Sequence, residues 1–159
     1  MFRFVVVLSA LVLSLPAWAG DLQPREGWAV HPTSQTYEAL TKAVRAAVKS
    51  NGLIVVTQAG PTKAAANRGI TIPGNRVIGV FNNDFAVRVL ETSTAAMIEA
   101  PIRIYVTENA DGTATLSYKL PSHVMAPYAD EGGAALAAIA QELDAAFQAI
   151  AKDATTGSH

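Results

Sequence analysis

The sequence has no cysteine. That absence excludes disulfides, thiol nucleophiles, iron–sulfur clusters and haem attachment through Cys-x-x-Cys-His. Clustered positive charge is also missing. Lys42, Arg45, Lys49, Arg68, Arg76, Arg88, Arg103 and Lys119 are scattered, and no run reaches three. Nucleic-acid binding leans on phosphate neutralisation by grouped Lys and Arg, so that class is disfavoured. Aromatic residues are sparse, at 7% of 159 residues. There is no Gly-x-Ser-x-Gly elbow, no Gly-x-Gly-x-x-Gly and no phosphate loop, which leaves three common catalytic or nucleotide-binding signatures unfilled. After the first 19 residues no segment reads as long and apolar enough to span a membrane.

The amino terminus is different. Arg3 supplies a short positive region, Phe4 to Leu15 run apolar, Pro16 breaks the run, and Ala17-Trp18-Ala19 has the small-x-small form that signal peptidase accepts. The run is shorter than the about 20 residues that cross a hydrocarbon core. Residues 1–19 therefore read as a cleaved secretory leader, cut after Ala19, and the address as periplasmic or secreted. Removing them takes away Arg3 alone among charges and leaves 11 basic against 13 acidic side chains, a formal charge of −2. The expected organisation is a leader at 1–19, a short lead at 20–27, one α+β domain at 28–153 and a disordered tail at 154–159.

Periodicity orders the elements as β-α-β-(α)-β-α-β-β-α. Gly27 to His31 is extended, and Pro32 biases His31 away from helix. Thr33 or Ser34 is placed to cap the next element. Tyr37, Leu40, Val44, Ala47 and Val48 fall on one helical face, and Asn51-Gly52 stops that helix. Leu53 to Thr57 reads as a buried strand, Thr62 to Arg68 as a short helix, and Arg76 to Phe81 as a strand. A helix from Phe85 to Leu90 follows, and Glu91 to Glu99 has no clear period. Ile102, Ile104 and Val106 alternate with Arg103, Tyr105 and Thr107. Asn109 to Gly112 forms a hairpin turn, and Ala114, Leu116, Tyr118 and Leu120 return on the apolar side. Pro121 to Pro127 reads as loop. A long Ala-rich helix, about Glu131 to Lys152, buries Leu136, Ile139, Leu143, Phe147 and Ile150. An antiparallel sheet with its first and last helices on one face is the architecture this order favours.

Between Arg76 and Tyr128 the chain resembles a known family. The features are Phe81-Asn82-Asn83 before a short helix, Pro101-Ile102-Arg103-Ile104, the Asp111-Gly112 hairpin and Ser117-Tyr118-Lys119-Leu120-Pro121. In order and spacing these are similar to the bacterial domain of unknown function 302, over roughly residues 28–150. The resemblance implies a TATA-binding-protein-like α+β fold, a curved antiparallel sheet with two main helices on one face, and pairing as homodimers. It implies no enzymatic activity and, fold being no guide to function, no DNA binding.

Candidate sites are few. Glu99, Arg103 and Tyr118 are placed to meet on one side of the hairpin, where Arg103 would bind a carboxylate; the simpler reading is a Glu99–Arg103 pair closing the sheet edge. Asn82 and Asn83 would line a polar pocket or, more simply, cap a helix. Tyr128 completes the ligand-binding candidates. His123-x-Met125, with His31 and Met97 if the fold converges them, resembles a soft-metal site for copper or, less readily, an axial haem pair. The competing reading packs Met125 in the core and leaves His123 in solvent. The resemblance does not carry a His123 site. Ser122 and His123 are neighbours, but adjacent side chains point apart and form no catalytic pair.

The expected function is thus an exported, non-enzymatic protein binding a small molecule or an envelope partner. A copper- or haem-linked redox accessory role is the alternative, and an uncharacterised hydrolase a distant third.

Overall fold

The computed structural model describes residues 21–156. The expected leader and the last three residues lie outside them. Five strands, β1 (Trp28–Pro32), β2 (Ile54–Ala59), β3 (Asn75–Phe81), β4 (Ile102–Glu108) and β5 (Ala114–Lys119), form one sheet. Its order is β1-β5-β4-β3-β2, and every neighbouring pair is antiparallel. Among the described residues five α-helices accompany it, α1 (Tyr37–Ser50), α2 (Thr62–Ala66), α3 (Asn83–Thr92), α4 (Pro121–Met125) and α5 (Ala129–Thr156), with short 3-10 turns at Ala95–Glu99 and Ala126–Tyr128. The α+β class and the order of elements are as the periodicity indicates.

The core lies on one side of the sheet. Cross-strand partners share a face, so Ile78, Ile104 and Tyr118 stand together, as do Val106 and Leu116. Alpha-helix α1 crosses this face with Leu40, Val44 and Val48 fully buried. Helix α5 packs against α1, α3 and α4 and reaches the sheet through Phe147, whose ring centroid is 5.4 Å from that of Tyr118. Burial of these side chains, at about 25 cal/mol per Å² of apolar surface, is what holds a chain without disulfides together.

Several local expectations are corrected. Thr36, not Thr33 or Ser34, caps α1, its hydroxyl accepting from Ala39 N. Thr33 instead ties β1 to β5, its hydroxyl donating to Ala114 O at 2.7 Å. Strand β2 is not buried: it takes the sheet edge, with Ile54 and Val56 50% and 45% exposed. The segment expected as a loop from Pro121 is helical. Pro121 sits at the first turn, where its missing N–H is harmless, and Asp144 of α5 accepts from Ser122 N at 2.9 Å.

Helix α5 also differs. Gly133 breaks it with φ 55° and ψ −150°, a conformation that favours glycine. Its far end reaches Thr156, beyond the expected start of the tail. Ala154 is fully buried and its carbonyl accepts from the Gln35 side chain at 2.8 Å, which holds this last turn in place. By length and composition alone the helical run Pro121–Thr156 is apolar enough to cross a membrane, which corrects the expectation that nothing after the leader qualifies. Its alanines raise the hydropathy, while Leu136, Phe147 and Ile150 are buried within the protein.

Candidate functional site

Among the described residues no helix layer covers the other sheet face, and a cavity of about 830 Å³ opens there. Its wall draws on four strands: Trp28 of β1, Lys119 of β5, Arg103 and Tyr105 of β4, and Asn75 and Val77 of β3. The end of β2 and the turn after it, Ala59 to Pro61, close one side. Glu99 and Val124 close another, at the ends of β4 and β5.

Apolar surface dominates this wall and the polar groups are few. The Trp28 ring carries two cations: the Arg25 guanidinium is 5.2 Å and the Lys119 ammonium 5.8 Å from its centroid. Glu99 accepts from the Tyr128 hydroxyl at 2.7 Å. That carboxylate partner pushes the Tyr128 phenol above its ordinary 10.0, because the bond favours the protonated form.

The expected Glu99–Arg103 pair is absent: among the described residues the ion pair is Arg88–Glu142, at 2.7 Å. Glu99 turns to Tyr128 instead. Arg103 and Tyr118 both border the large cavity together with Glu99, but their side chains do not meet. Tyr118 pairs with Ile104, one residue away from Arg103, so the two side chains leave opposite faces. The Tyr118 ring lies between His31, 6.0 Å away and stacked, and Phe147 on the helix side. Burial there pushes its phenol up, aided by the nearby Asp144 charge.

Asn82 caps α3, its Oδ1 accepting from Phe85 N at 3.1 Å while its amide donates to Gly52 O. With Asn83 it borders a shallow depression of about 190 Å³ that shares no wall with the large cavity. Of the soft-metal candidates, Met97 and Met125 border one small interior cavity of about 30 Å³ between helices and sheet. Neither histidine borders it. His31 is on β1 against Tyr118, and burial holds its imidazole below the usual 6.5. His123 is exposed, its ring lying over Gly27 so closely that a Cβ there would collide. No group of three His, Asp or Glu side chains converges as a metal set among the described residues.

The residues missed in the sequence are Trp28, Val77, Tyr105 and Lys119. A signal existed. Tyr105 and Arg103 alternate away from the core, and an aromatic on the uncovered face marks a contact surface.

The sequence profile described as "Domain of unknown function DUF302" matches residues 30–153. The chain belongs to that family. Among solved structures, an uncharacterized conserved protein DUF302 from Bacillus stearothermophilus superposes with a TM-score of 0.70 at 19% identity. The match covers 79% of this chain and 96% of that one. At that identity it establishes the shared DUF302 fold alone. No curated protein matches this chain. The DUF302 match spans all five strands but for the first two residues of β1, so the open-face cavity, Trp28 apart, is built from the family domain.

Proposed function

We propose that this DUF302 protein is a non-enzymatic binding protein of the bacterial envelope, exported through residues 1–19, that holds a small molecule on the open face of its sheet. The observation that supports this reading is the cavity itself. Its about 830 Å³ falls within the about 300–1,000 Å³ of ordinary ligand sites, which share its mostly apolar wall and few polar groups. The wall includes one carboxylate and no serine, threonine, cysteine or histidine, so a Ser–His, Thr–His or Cys–His pair cannot be assembled from it.

Purification from the native periplasm, followed by native mass spectrometry and an absorption spectrum, tests the reading. A low-mass molecule at one per chain is expected, lost in a Val77→Trp variant that fills the cavity. Ligand-free protein from every preparation overturns it. The same samples, sequenced from the amino terminus, should begin at Gly20; a chain retaining Met1 contradicts export.

Self-association belongs to the same reading. Among the described residues the outer edge of β2 has no partner strand, and it carries the exposed Ile54 and Val56, a setting that favours pairing with a second copy. The register shift between Val55 and Thr57 limits how far the sheet can continue. Light scattering at micromolar concentration should report a dimer; a clean monomer removes this part.

A further inference from the structure

The charges around the cavity are unbalanced, and the imbalance points to a ligand class. Trp28 lies across from Lys119. The β4–β5 register, Ile104 with Tyr118, sets Arg103 beside Lys119 one step further on. Trp28, Lys119 and Arg103 thus form a row over three adjacent strands. The next row, running from Val30 through Ser117, Tyr105 and Val77 to Ala59, is mostly apolar. A basic row therefore borders an apolar one on the same uncovered face.

Neither Arg103 nor Lys119 forms an ion pair among the described residues. Glu99, the carboxylate at the cavity, is already engaged by Tyr128. Arg25 adds a third cation beside Trp28. We infer that the cavity takes an amphipathic organic anion, its carboxylate or phosphate head on Arg103 and Lys119 and its apolar body along Tyr105, Val77 and Ala59. The inference rests on the binding reading above and names its ligand class. The Arg103 guanidinium offers a planar fork that matches either head. A neutral molecule of the same shape leaves both cations without a partner, and a cationic one is repelled. The apolar row supplies the area that a hydrocarbon body covers.

Four probes that differ only in the head separate these cases: dodecanoate, dodecyl phosphate, dodecanol and dodecyltrimethylammonium, each below its micelle concentration. Affinities come from calorimetry and from Trp28 emission. The chain has two tryptophans, and Trp18 lies in the leader, so exported protein reports through Trp28; a Trp28→Phe variant is the blank. One or both anions should bind at least about ten-fold tighter than the alcohol and the cation, and which anion leads distinguishes the two heads. Arg103→Gln/Lys119→Gln should lose at least about ten-fold for the anions with its melting temperature unchanged, both side chains being exposed. Lys119→Glu is an independent check: it should weaken the anions and tighten the cation. Equal affinity for all four heads, or an unchanged double variant, overturns the anion assignment while leaving a general binding site intact. Binding of none of the four overturns it as well, and the co-purification experiment then decides separately whether the binding reading falls.

Discussion

Replacing Gly79 by alanine should unseat the start of β4. Gly79 stands in β3 between Thr57 of β2 and Arg103 of β4. A Cβ there would lie 2.9 Å from Cγ and 3.2 Å from Cβ of Pro101, and would overlap the Thr57 hydroxyl. The two neighbours yield differently. Thr57 is exposed on an edge strand and can move. The Pro101 ring can only change pucker at Cγ while its Cβ stays fixed to the backbone, so full relief requires backbone movement next to the buried Ile102. Overpacking of this kind costs about 1–3 kcal/mol, and one rigid neighbour out of two places the expected loss near 2 kcal/mol. Thr57→Ala alone, which removes an exposed hydroxyl, should stay within about 0.5 kcal/mol of the parent. Combined with Gly79→Ala it should restore about 1 kcal/mol, since contacting sites couple by that order. Urea unfolding followed by far-ultraviolet circular dichroism measures all four corners of the cycle. Gly79→Ala at parental stability, or strict additivity with Thr57→Ala, refutes the reasoning. Pro101 also joins Glu99 to Arg103, so the substitution should weaken cavity binding even where the fold survives.

Two further outcomes follow from buried polar groups. His31 Nε2 is buried without a hydrogen-bond partner, and burial lowers its pKa from 6.5. Below pH 6.5 the unfolded chain therefore binds more protons than the folded one. Stability should fall as pH drops from that value toward the lower folded pKa, and this contribution should be flat above it, with a one-proton ceiling of about 1.4 kcal/mol per pH unit. His31→Phe, which keeps a ring against Tyr118, should remove this leg of the pH–stability curve; an unchanged slope contradicts the assignment. Asp144→Ala removes the acceptor at the first turn of α4 and should cost about 1 kcal/mol, read from the urea midpoint, whereas no loss means the turn holds without its cap.

The features legible in the sequence are those set by neighbours along the chain. Alternation at Ile102 to Thr107 identified β4 and both of its faces. The stripe from Leu136 to Ile150 identified α5, and Asn82 identified the start of α3. What stayed hidden depends on distant residues. Helix α4 is held by an aspartate 22 residues further on, so its Pro-flanked segment read locally as a loop. Strand β2 is rich in β-branched residues and read as buried, but edge or centre is decided by sheet order, which local pattern does not encode. The site suffered in the same way. Trp28, Lys119, Arg103 and Val77 become neighbours only once β1, β5, β4 and β3 are ordered side by side. Arg103 and Tyr118 both border the cavity, but alternation, already visible in the sequence, sends their side chains to opposite faces. The histidine–methionine pairing failed because Met125 turns inward to the core while His123, two residues earlier on α4, stays at the surface.

A ligand site for amphipathic anions on the uncovered face of the sheet requires that such an anion contact all four of its strands. Amide chemical-shift mapping of isotope-labelled protein titrated with dodecanoate tests it most directly. Saturable shifts should cluster at Trp28, Val77, Arg103, Tyr105 and Lys119, across four strands at once. Shifts centred instead on the interior cavity at Met97 and Met125, on Asn82 and Asn83, or scattered without saturation contradict the account.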